Sequence, residues 1–314
     1  MRRLPLVIGP LVALLIALAL ALSACGGDNQ STANPEPTTA AAGFPVTVAR
    51  SDGRDLTIAQ APQRIASLSP AATEVLYAVG AGPQIVATDL QSDYPAEAEN
   101  TTRLDAFQPN PEAIATVRAD LIIVAHNQDD IVEVLDRLGE TVLFLEVPDT
   151  VDGVMEQVQT LARVSGHAAE GERLAQDMSG RIEAVTSKLA GVENGPRVYH
   201  ELDNTFFTVA PNSFVGDFYS LLKARNIAEG APTAYPQLSQ EEILARDPEV
   251  IILADADAGE SPQTVKARPG WSAISAVKND RIYVIDPDLV SRPGPRLVDG
   301  LEQLARFLYP EKFP

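Results

Sequence analysis

Cysteine and histidine, two residue types that often carry out catalysis or bind metals, are few in this sequence of 314 residues. It holds one cysteine, Cys25, and three histidines that form no closely spaced cluster. The motifs Gly-x-Ser-x-Gly and His-Glu-x-x-His, typical of serine hydrolases and zinc proteases, are absent. We therefore expect neither a nucleophilic enzyme nor a dedicated zinc or manganese site whose ligands are side chains.

Two histidines and one arginine are candidates for contact with a ligand. His126 and His200 each end an apolar run that predicts a strand. Either could be an axial ligand to a metal or, as is more common, form a partly buried hydrogen bond. Arg292 follows the last predicted strand, and its guanidinium suits ligand carboxylates, phosphates or amides. Arg296 is instead expected to take part in the packing of the final helix.

A long amphipathic segment in the middle of the chain is expected to position these residues. Apolar residues at helical spacing predict one helix from Val151 and, after a weak point at Ser165-Gly166, a second helix that reaches Leu189. Segments of alternating strands and helices lie on both sides. We expect a stiff strut that joins two lobes, with a ligand in the cleft between them. The alternative is a pair of ordinary packing helices within one domain.

The first 24 residues have the order of an export signal. Arg2 and Arg3 precede an apolar run, which ends in Leu22-Ser23-Ala24-Cys25. This ending resembles the lipobox of bacterial lipoproteins, which implies cleavage before Cys25 and lipidation of that residue. Residues 25–43 are rich in Pro, Thr and Ala and predict a flexible linker.

Charge and cysteine content limit the partners of the mature chain. Without residues 1–24 the chain has 22 basic and 43 acidic residues, a net charge of −21. Such a surface repels nucleic acid, and we expect no nucleic-acid partner. Once Cys25 is lipidated no thiol remains, so the fold must hold without disulfides outside the cytoplasm.

Strand and helix signals alternate in both halves and predict an α/β fold with mainly parallel sheets. Residues 44–58 predict a small hairpin before the first lobe. A repeat without gaps relates residues 110–126 to residues 239–255, an offset of 129 residues. Each copy has a capping residue, an acid, a short helix and an apolar strand, and Glu112 aligns with Glu241.

Seven motifs occur in an order that identifies a family. They are Arg64-Ile-Ala-Ser-Leu-Ser-Pro-Ala-Ala-Thr-Glu, Ser92-Asp-Tyr-Pro, Asn110-Pro-Glu, Phe207-Thr-Val-Ala-Pro-Asn-Ser-Phe, Tyr235-Pro-Gln-Leu-Ser-Gln-Glu-Glu, Trp271-Ser-Ala-Ile-Ser-Ala-Val-Lys-Asn-Asp-Arg-Ile-Tyr and Arg292-Pro-Gly-Pro-Arg. With them, the chain from Pro62 to Pro310 resembles the substrate-binding proteins of bacterial ABC importers for ferric siderophores, haem and cobalamin. The pattern is most similar to that of the cobalamin-binding members.

The resemblance implies two α/β lobes joined by a single long helix, as in class III periplasmic binding proteins. It implies a membrane-anchored monomer that passes a metal chelate to an ABC permease dimer with its ATPase. The domain limits that follow are a signal peptide at 1–24, a linker at 25–43, an N-terminal lobe at 44–165, an interlobe helix at 166–192 and a C-terminal lobe at 193–314.

The resemblance also implies roles for individual residues. Phe107 and Tyr235 match positions where cobalamin binders place aromatic residues, and Phe206 or Phe207 matches a third, so these side chains are expected to cover a flat ligand. Some cobalamin binders have tryptophan at the first two positions, whereas the only tryptophan here, Trp271, belongs to a motif that more often packs in the core.

Two acids and the identity of the ligand complete the expectations. Glu112 and Glu241 are expected on the top of each lobe, facing arginines of the permease. Alternatively, they are first-turn acids that only interact favourably with the positive end of the helix dipole. No intrinsic cofactor is expected. Cobalamin or another corrinoid is favoured as ligand over a ferric siderophore, with haem third. A secreted two-lobe enzyme and a surface sensor that binds without transport are the other function classes.

Overall fold

The computed structural model describes residues 43–314, which belong to one compact unit. The predicted signal peptide, Cys25 and the linker up to residue 42 lie outside the described residues.

The strands are β1 Val46–Ala49, β2 Asp55–Ile58, β3 Ile65–Leu68, β4 Ile85–Asp89, β5 Thr102–Leu104, β6 Leu121–Val124, β7 Val142–Phe144, β8 Arg197–Glu201, β9 Arg225–Asn226, β10 Val250–Leu253 and β11 Ile282–Val284. The helices are α1 Pro70–Ala78, α2 Pro111–Thr116, α3 Ile131–Arg137, α4 Val151–Ser165, α5 Ala168–Ser187, α6 Phe214–Leu221, α7 Gln240–Arg246, α8 Pro262–Ala267, α9 Ser275–Lys278, α10 Pro287–Ser291 and α11 Leu297–Leu308.

Two parallel sheets form the two lobes. The N-terminal sheet has five strands in the order β5-β4-β3-β6-β7, and the C-terminal sheet has four in the order β11-β10-β8-β9. The first two strands form the predicted hairpin, with Val46 opposite Ile58 in antiparallel register. The predicted α/β class with mainly parallel sheets is confirmed.

The central strands are buried on both faces, as their composition requires. All four residues of β6, Leu-Ile-Ile-Val, are buried, and so are all four of β10, Val-Ile-Ile-Leu. Apolar side chains on both faces fit a parallel sheet that is covered by helices on each side. The internal repeat is confirmed element by element, because α2 and β6 correspond to α7 and β10 at the predicted offset of 129 residues.

The central segment folds as two helices, as its spacing predicts. Thr150 caps the start of α4 by accepting a hydrogen bond from the Gly153 amide at 3.1 Å. Gly166 ends α4 with a φ of 87°, a left-handed conformation that glycine adopts without steric cost. The 20-residue α5 follows and packs against α4 and against α11 of the C-terminal lobe.

One hydrophobic core extends across both lobes. It joins side chains of the N-terminal sheet, of α4 and α5, and of the C-terminal sheet, including Leu143, Val158, Met178 and Val250. Each sheet has a second apolar cluster on its other face. The shared core ties the lobes together, which limits their relative movement. The domain limits at 165/166 and 192/193 stay a prediction.

Candidate ligand-binding cleft

Loops that follow strands of the two sheets meet at the boundary between the lobes, and open α/β sheets commonly bind ligands beyond the carboxyl ends of their strands. Several contacts mark this boundary. The Val151 amide at the start of α4 donates to Asp217 of α6 at 2.9 Å. Asp149, in the loop after β7, lies close enough to Tyr235 of the other lobe for its charge to contribute to the raised pKa of that phenol, after the larger effect of burial.

The N-terminal rim of the cleft carries an exposed aromatic pair. Phe107 is 59% exposed, and its ring stacks on His126 with centroids 5.9 Å apart and planes inclined by 25°. The Asp105 carboxylate accepts hydrogen bonds from the Phe107 and Gln108 amides at 2.9 Å each. This turn fixes the backbone that presents Phe107, while the ring itself remains open to solvent.

The C-terminal rim carries two further exposed aromatics on a short antiparallel ribbon. Residues 206–210 pair with residues 234–238, and the Thr208 amide donates to the Pro236 carbonyl at 2.9 Å. Phe207 is 38% exposed and Tyr235 is 51% exposed. The ribbon therefore brings together two side chains that are 28 positions apart in the chain, both predicted as ligand-binding residues.

The neighbouring Phe206 is half-buried and lies beneath this rim. Its backbone φ is 70°, a left-handed value that is uncommon for a bulky residue. The ring packs against buried Trp271 at 5.9 Å, and the Arg268 guanidinium stacks over Trp271 at 4.6 Å and over Phe206 at 5.5 Å. Trp271 belongs to the core, as its motif predicts.

Buried carboxylates hold Arg268 in this position. Glu201, fully buried at the end of β8, pairs with Arg268 through two hydrogen bonds of 2.6 Å, and Glu260 adds a third of 2.7 Å. Burial alone would lower the pKa of Arg268, but the hydrogen bonds and charges of Glu201 and Glu260 raise it. Sequence reasoning missed this group of residues, since none of its contacts joins neighbours in the chain.

Asp255 lies beside the same carboxylates at the end of β10. Burial, and secondly the charge of Glu201, raise the pKa of Asp255 to about 7. Among residues 43–314, no group donates a hydrogen bond to either of its buried carboxylate oxygens. A buried cluster of acids therefore supports the C-terminal rim, and the neutral form of Asp255 persists to a higher pH than in a free aspartate because its pKa is raised.

The two arginines of the last loop join the lobes. Arg292, predicted as a ligand-binding residue, pairs with Asp93 of the N-terminal lobe at 2.5 Å and with Asp288 at 2.9 Å. Arg296, at the start of α11, pairs with buried Glu74 at 2.6 Å and lies 4.1 Å above the Tyr94 ring. Arg292 therefore lies between the lobes, where an acid of the N-terminal lobe engages it.

The histidines occupy different environments. His200 is 1% exposed, its Nδ1 lies 2.6 Å from the Tyr219 hydroxyl, and burial lowers its pKa to about 3. It is a neutral core residue, as the more common role predicts. His126 is exposed rather than partly buried, so of these two histidines only His126 presents its ring to solvent.

Comparison with known proteins assigns the family. The sequence pattern of the periplasmic binding protein family matches residues 65–289. The chain belongs to this family. The binding protein is 30% identical over 312 residues to an uncharacterised ABC transporter substrate-binding lipoprotein of Bacillus subtilis, and the match covers 96% of this chain and 97% of the relative. Family membership makes it an extracytoplasmic substrate-binding protein with an ABC permease and ATPase as partners.

Two solved structures show the same architecture as the binding protein. A periplasmic vitamin B12-binding protein of Vibrio cholerae is 29% identical, with a TM-score of 0.70 over 81% of this chain and 99% of that one. A periplasmic haem-binding protein is 22% identical, with a TM-score of 0.72 over 80% of this chain and 99% of that one, and shows the fold alone. The predicted family and class III architecture are confirmed.

The aligned acids of the binding protein lie at equivalent helix starts, one in each lobe. Glu112 follows the cap of α2, where Asn110 accepts a hydrogen bond from the Ala113 amide at 3.0 Å. Glu241 follows the cap of α7, where Ser239 accepts from the Glu242 amide at 3.2 Å. Both acids are exposed, and neither forms a hydrogen bond or ion pair within residues 43–314.

A cavity of about 800 Å³ in the binding protein lies beside Glu74 and Arg296. It opens on the flank of the molecule where α1, α5 and α11 meet, and Tyr77, Tyr94, Leu174 and Met178 contribute to its lining. Cavity size therefore does not by itself identify the ligand site. Within the described part of the chain, no helix is both long and apolar enough to cross a membrane.

Proposed function

We propose that this binding protein captures a metal chelate with a flat face, with cobalamin or another corrinoid favoured, and delivers it to its permease. The observation that carries the proposal is the set of exposed aromatic rings on both rims of the cleft: Phe107 on one side, Phe207 and Tyr235 on the other. The name of the Vibrio cholerae relative, a vitamin B12-binding protein, supports a corrinoid. A ferric siderophore and haem are the alternatives.

Leaving aromatic rings exposed to water is unfavourable in free energy, and a ligand that covers these rings would remove that unfavourable exposure. An aromatic ring offers a large contact area with only two rotatable bonds, so it covers a planar ligand with little loss of entropy. Phe107, Phe207 and Tyr235 belong to loops that follow strands, and hydrogen-bonded turns fix their backbones. They therefore present apolar surface for a ligand that enters between the lobes.

Arg292 supplies a polar contact in this proposal. Its side chain is 15% exposed and pairs with Asp93, whose pKa is lowered chiefly by that hydrogen bond. A ligand amide or phosphate would bind the guanidinium by replacing Asp93 or by sharing the arginine with it. The planar fork of arginine suits both groups. The half-buried Phe206 supports the rim from below.

Titration of the purified protein with cyanocobalamin, a ferric siderophore and haem tests this ligand assignment. We expect calorimetry to show binding of cyanocobalamin, and Phe107→Ala or Tyr235→Ala to weaken it by about 1–3 kcal/mol each, the scale of a buried aromatic contact. Leu138→Ala, at a residue 56% exposed at the end of α3, is the matched control and should bind normally. Binding that is unaffected by both aromatic substitutions would place the site elsewhere.

Glu112 and Glu241 are proposed as the permease-docking residues. A permease dimer offers two copies of one surface, so a monomeric receptor needs two similar contacts. The repeat supplies them, because α2 and α7 each begin with a capped turn and an unpaired, exposed acid. Opposite charges on the permease would speed encounter and fix orientation.

Lipidation of Cys25 is proposed as the membrane anchor. Its support is the sequence Leu22-Ser23-Ala24-Cys25, together with the lipoprotein nature of the Bacillus subtilis relative. In metabolic labelling with a radioactive fatty acid, we expect the wild-type chain to take up label and Cys25→Ser to take up none. We also expect the variant to leave the membrane fraction; its retention there with label would exclude Cys25 as the acylated residue.

A further inference from the structure

We propose that the cavity of about 800 Å³ beside Glu74 and Arg296 is a second ligand site, which binds a compact organic cation with its ammonium group carried on an apolar body. The inference does not depend on which cargo the cleft holds, because none of the residues assigned to cargo binding lines this cavity. Its volume falls within the range of small-molecule sites, about 300–1,000 Å³.

Apolar side chains form most of the walls of the cavity. Tyr77 at the end of α1, Tyr94 in the loop after β4 and Met178 of α5 contribute to them. A Cβ atom at Gly82 would lie 2.7 Å from Cδ1 of Tyr77, so the ring packs directly on a residue without a side chain. The Arg296 guanidinium already covers the Tyr94 ring at 4.1 Å. Tyr77 is therefore the aromatic wall that a cationic ligand could contact.

The charged side chains give the cavity a net negative charge. Among residues 43–314, four acids and two arginines line it, a formal charge of −2. They are Glu74, Glu97, Asp177, Asp299, Arg181 and Arg296. Arg296 pairs with Glu74 at 2.6 Å, and Arg181 pairs with Asp299 at the same distance. An anion would therefore meet no unpaired guanidinium among the described residues of the cavity.

The two remaining acids are available to a ligand. Glu97 and Asp177 are exposed, and neither carboxylate forms a hydrogen bond or ion pair within residues 43–314. The charge of Glu97 contributes to the raised pKa of the Tyr77 phenol, after the larger effect of burial. Both a carboxylate and an aromatic face attract an ammonium group. The ammonium group would therefore lie near Glu97 and Tyr77, with its apolar body against Leu174 and Met178.

The cavity also lies where the two lobes meet. Tyr77 and Tyr94 belong to the N-terminal lobe, and Pro295 and Arg296 belong to the C-terminal lobe. A bound cation would contact both lobes and stabilise the folded protein by mass action. The carboxylates of haem and the phosphate of cobalamin would be repelled by the unpaired acids, so the cargo itself is not expected here.

Two probes with the same benzyl body and opposite charge test the inference on the full binding protein. In an NMR titration at low ionic strength, we expect benzyltrimethylammonium to bind with a dissociation constant of about 1 mM or lower, and phenylmethanesulfonate to bind about tenfold or more weakly. Ala78 is an exposed residue of α1 that lines the cavity. Ala78→Trp should fill the space and weaken cation binding by about tenfold or more, with an unchanged circular dichroism spectrum.

Variants of the acids test the class of ligand. Glu97→Gln combined with Asp177→Asn should weaken benzyltrimethylammonium binding by about three- to tenfold and reduce its preference over the sulfonate. Glu156→Gln combined with Glu172→Gln is the matched control. It removes the same net charge at exposed residues outside the cavity, and the affinity should change by less than about twofold.

The opposite results would overturn the inference. If the cation shows no saturable binding up to about 10 mM, or binds equally well to a folded Ala78→Trp variant, the cavity is not its site. If the two probes bind equally, or if the two double variants have the same effect, the site does not select cations.

Discussion

The two rims of the cleft present aromatic rings in opposite ways. On the N-terminal side Phe107 stacks on His126 and on no other ring of residues 43–314, and both side chains are exposed. On the C-terminal side Phe206 is packed on Trp271 and Arg268, which buried Glu201 fixes through two hydrogen bonds. The ring on the N-terminal rim therefore rests on one exposed stacking contact, whereas the C-terminal rim has a buried aromatic and charged support beneath it.

The C-terminal rim contains a strained backbone conformation, and the contacts around it must compensate for the free energy of that strain. A non-glycine residue in the left-handed region, as Phe206 is, costs on the order of 1–3 kcal/mol and persists only where its surroundings enforce it. A buried ion pair also fixes geometry more than it adds net stability. The combination pre-orders the ribbon that carries Phe207 and Tyr235, so less entropy is lost when a ligand binds.

Arg268→Met is the substitution with the largest expected effect on this comparison. It leaves Glu201 buried and unpaired next to Asp255, so we expect the free energy of unfolding to fall by about 3–5 kcal/mol in chemical denaturation. Arg173→Met breaks an exposed pair with Glu170 on α5 and serves as the control, with an expected loss of about 0–0.5 kcal/mol.

The double variant Arg268→Met, Glu201→Met separates stability from positioning. Replacing both charges by apolar side chains should recover most of the lost stability, because no unpaired charge remains. Ligand affinity should be lower than in the wild type in both variants, since the guanidinium stack on Phe206 is gone. Wild-type affinity in the stable double variant would show that Arg268 only stabilises the fold and does not position the rim.

The sequence was sufficient to predict elements that depend on local pattern. The break at Gly166, the buried strands β6 and β10 and the offset of 129 residues between their units follow from periodicity, capping residues and glycine chemistry. The supports of the C-terminal rim could not be predicted. Glu201 and Arg268 are 67 positions apart, and only the folded sheet brings the end of β8 to the loop after α8.

The same limit applies to side-chain environment at the site. His126 and His200 both end apolar strands. Their sequence context therefore allowed the same two roles for each, axial ligation of a metal or a partly buried hydrogen bond. Burial decides between them, because His200 faces the core beside Tyr219 while His126 lies outside it. Likewise Arg292 was predicted at the cleft, but its partner Asp93, which is 199 positions away, follows only from how the lobes meet.

The smallest expected effects concern the two proposed docking acids. At these positions the two lobes have the same local structure, an exposed acid at a capped helix start. Glu112 and Glu241 are exposed, so each is expected to contribute only the ~0.2–1 kcal/mol typical of exposed pairs. Glu112→Ala or Glu241→Ala should therefore lower transport or ligand-stimulated ATPase activity by a factor of about 1.4 to 5. The double variant should lose about the product of the two factors, since the sites are in separate lobes. Ligand affinity should not change in any of them.

Glu242→Ala is the matched control for this prediction. It removes the acid next to Glu241, which already pairs with the Ser239 amide and with Arg246. Transport that is normal in the double variant would leave both acids with a role at the helix dipole alone, and loss of ligand binding in a folded single variant would move that acid from the docking surface into the site.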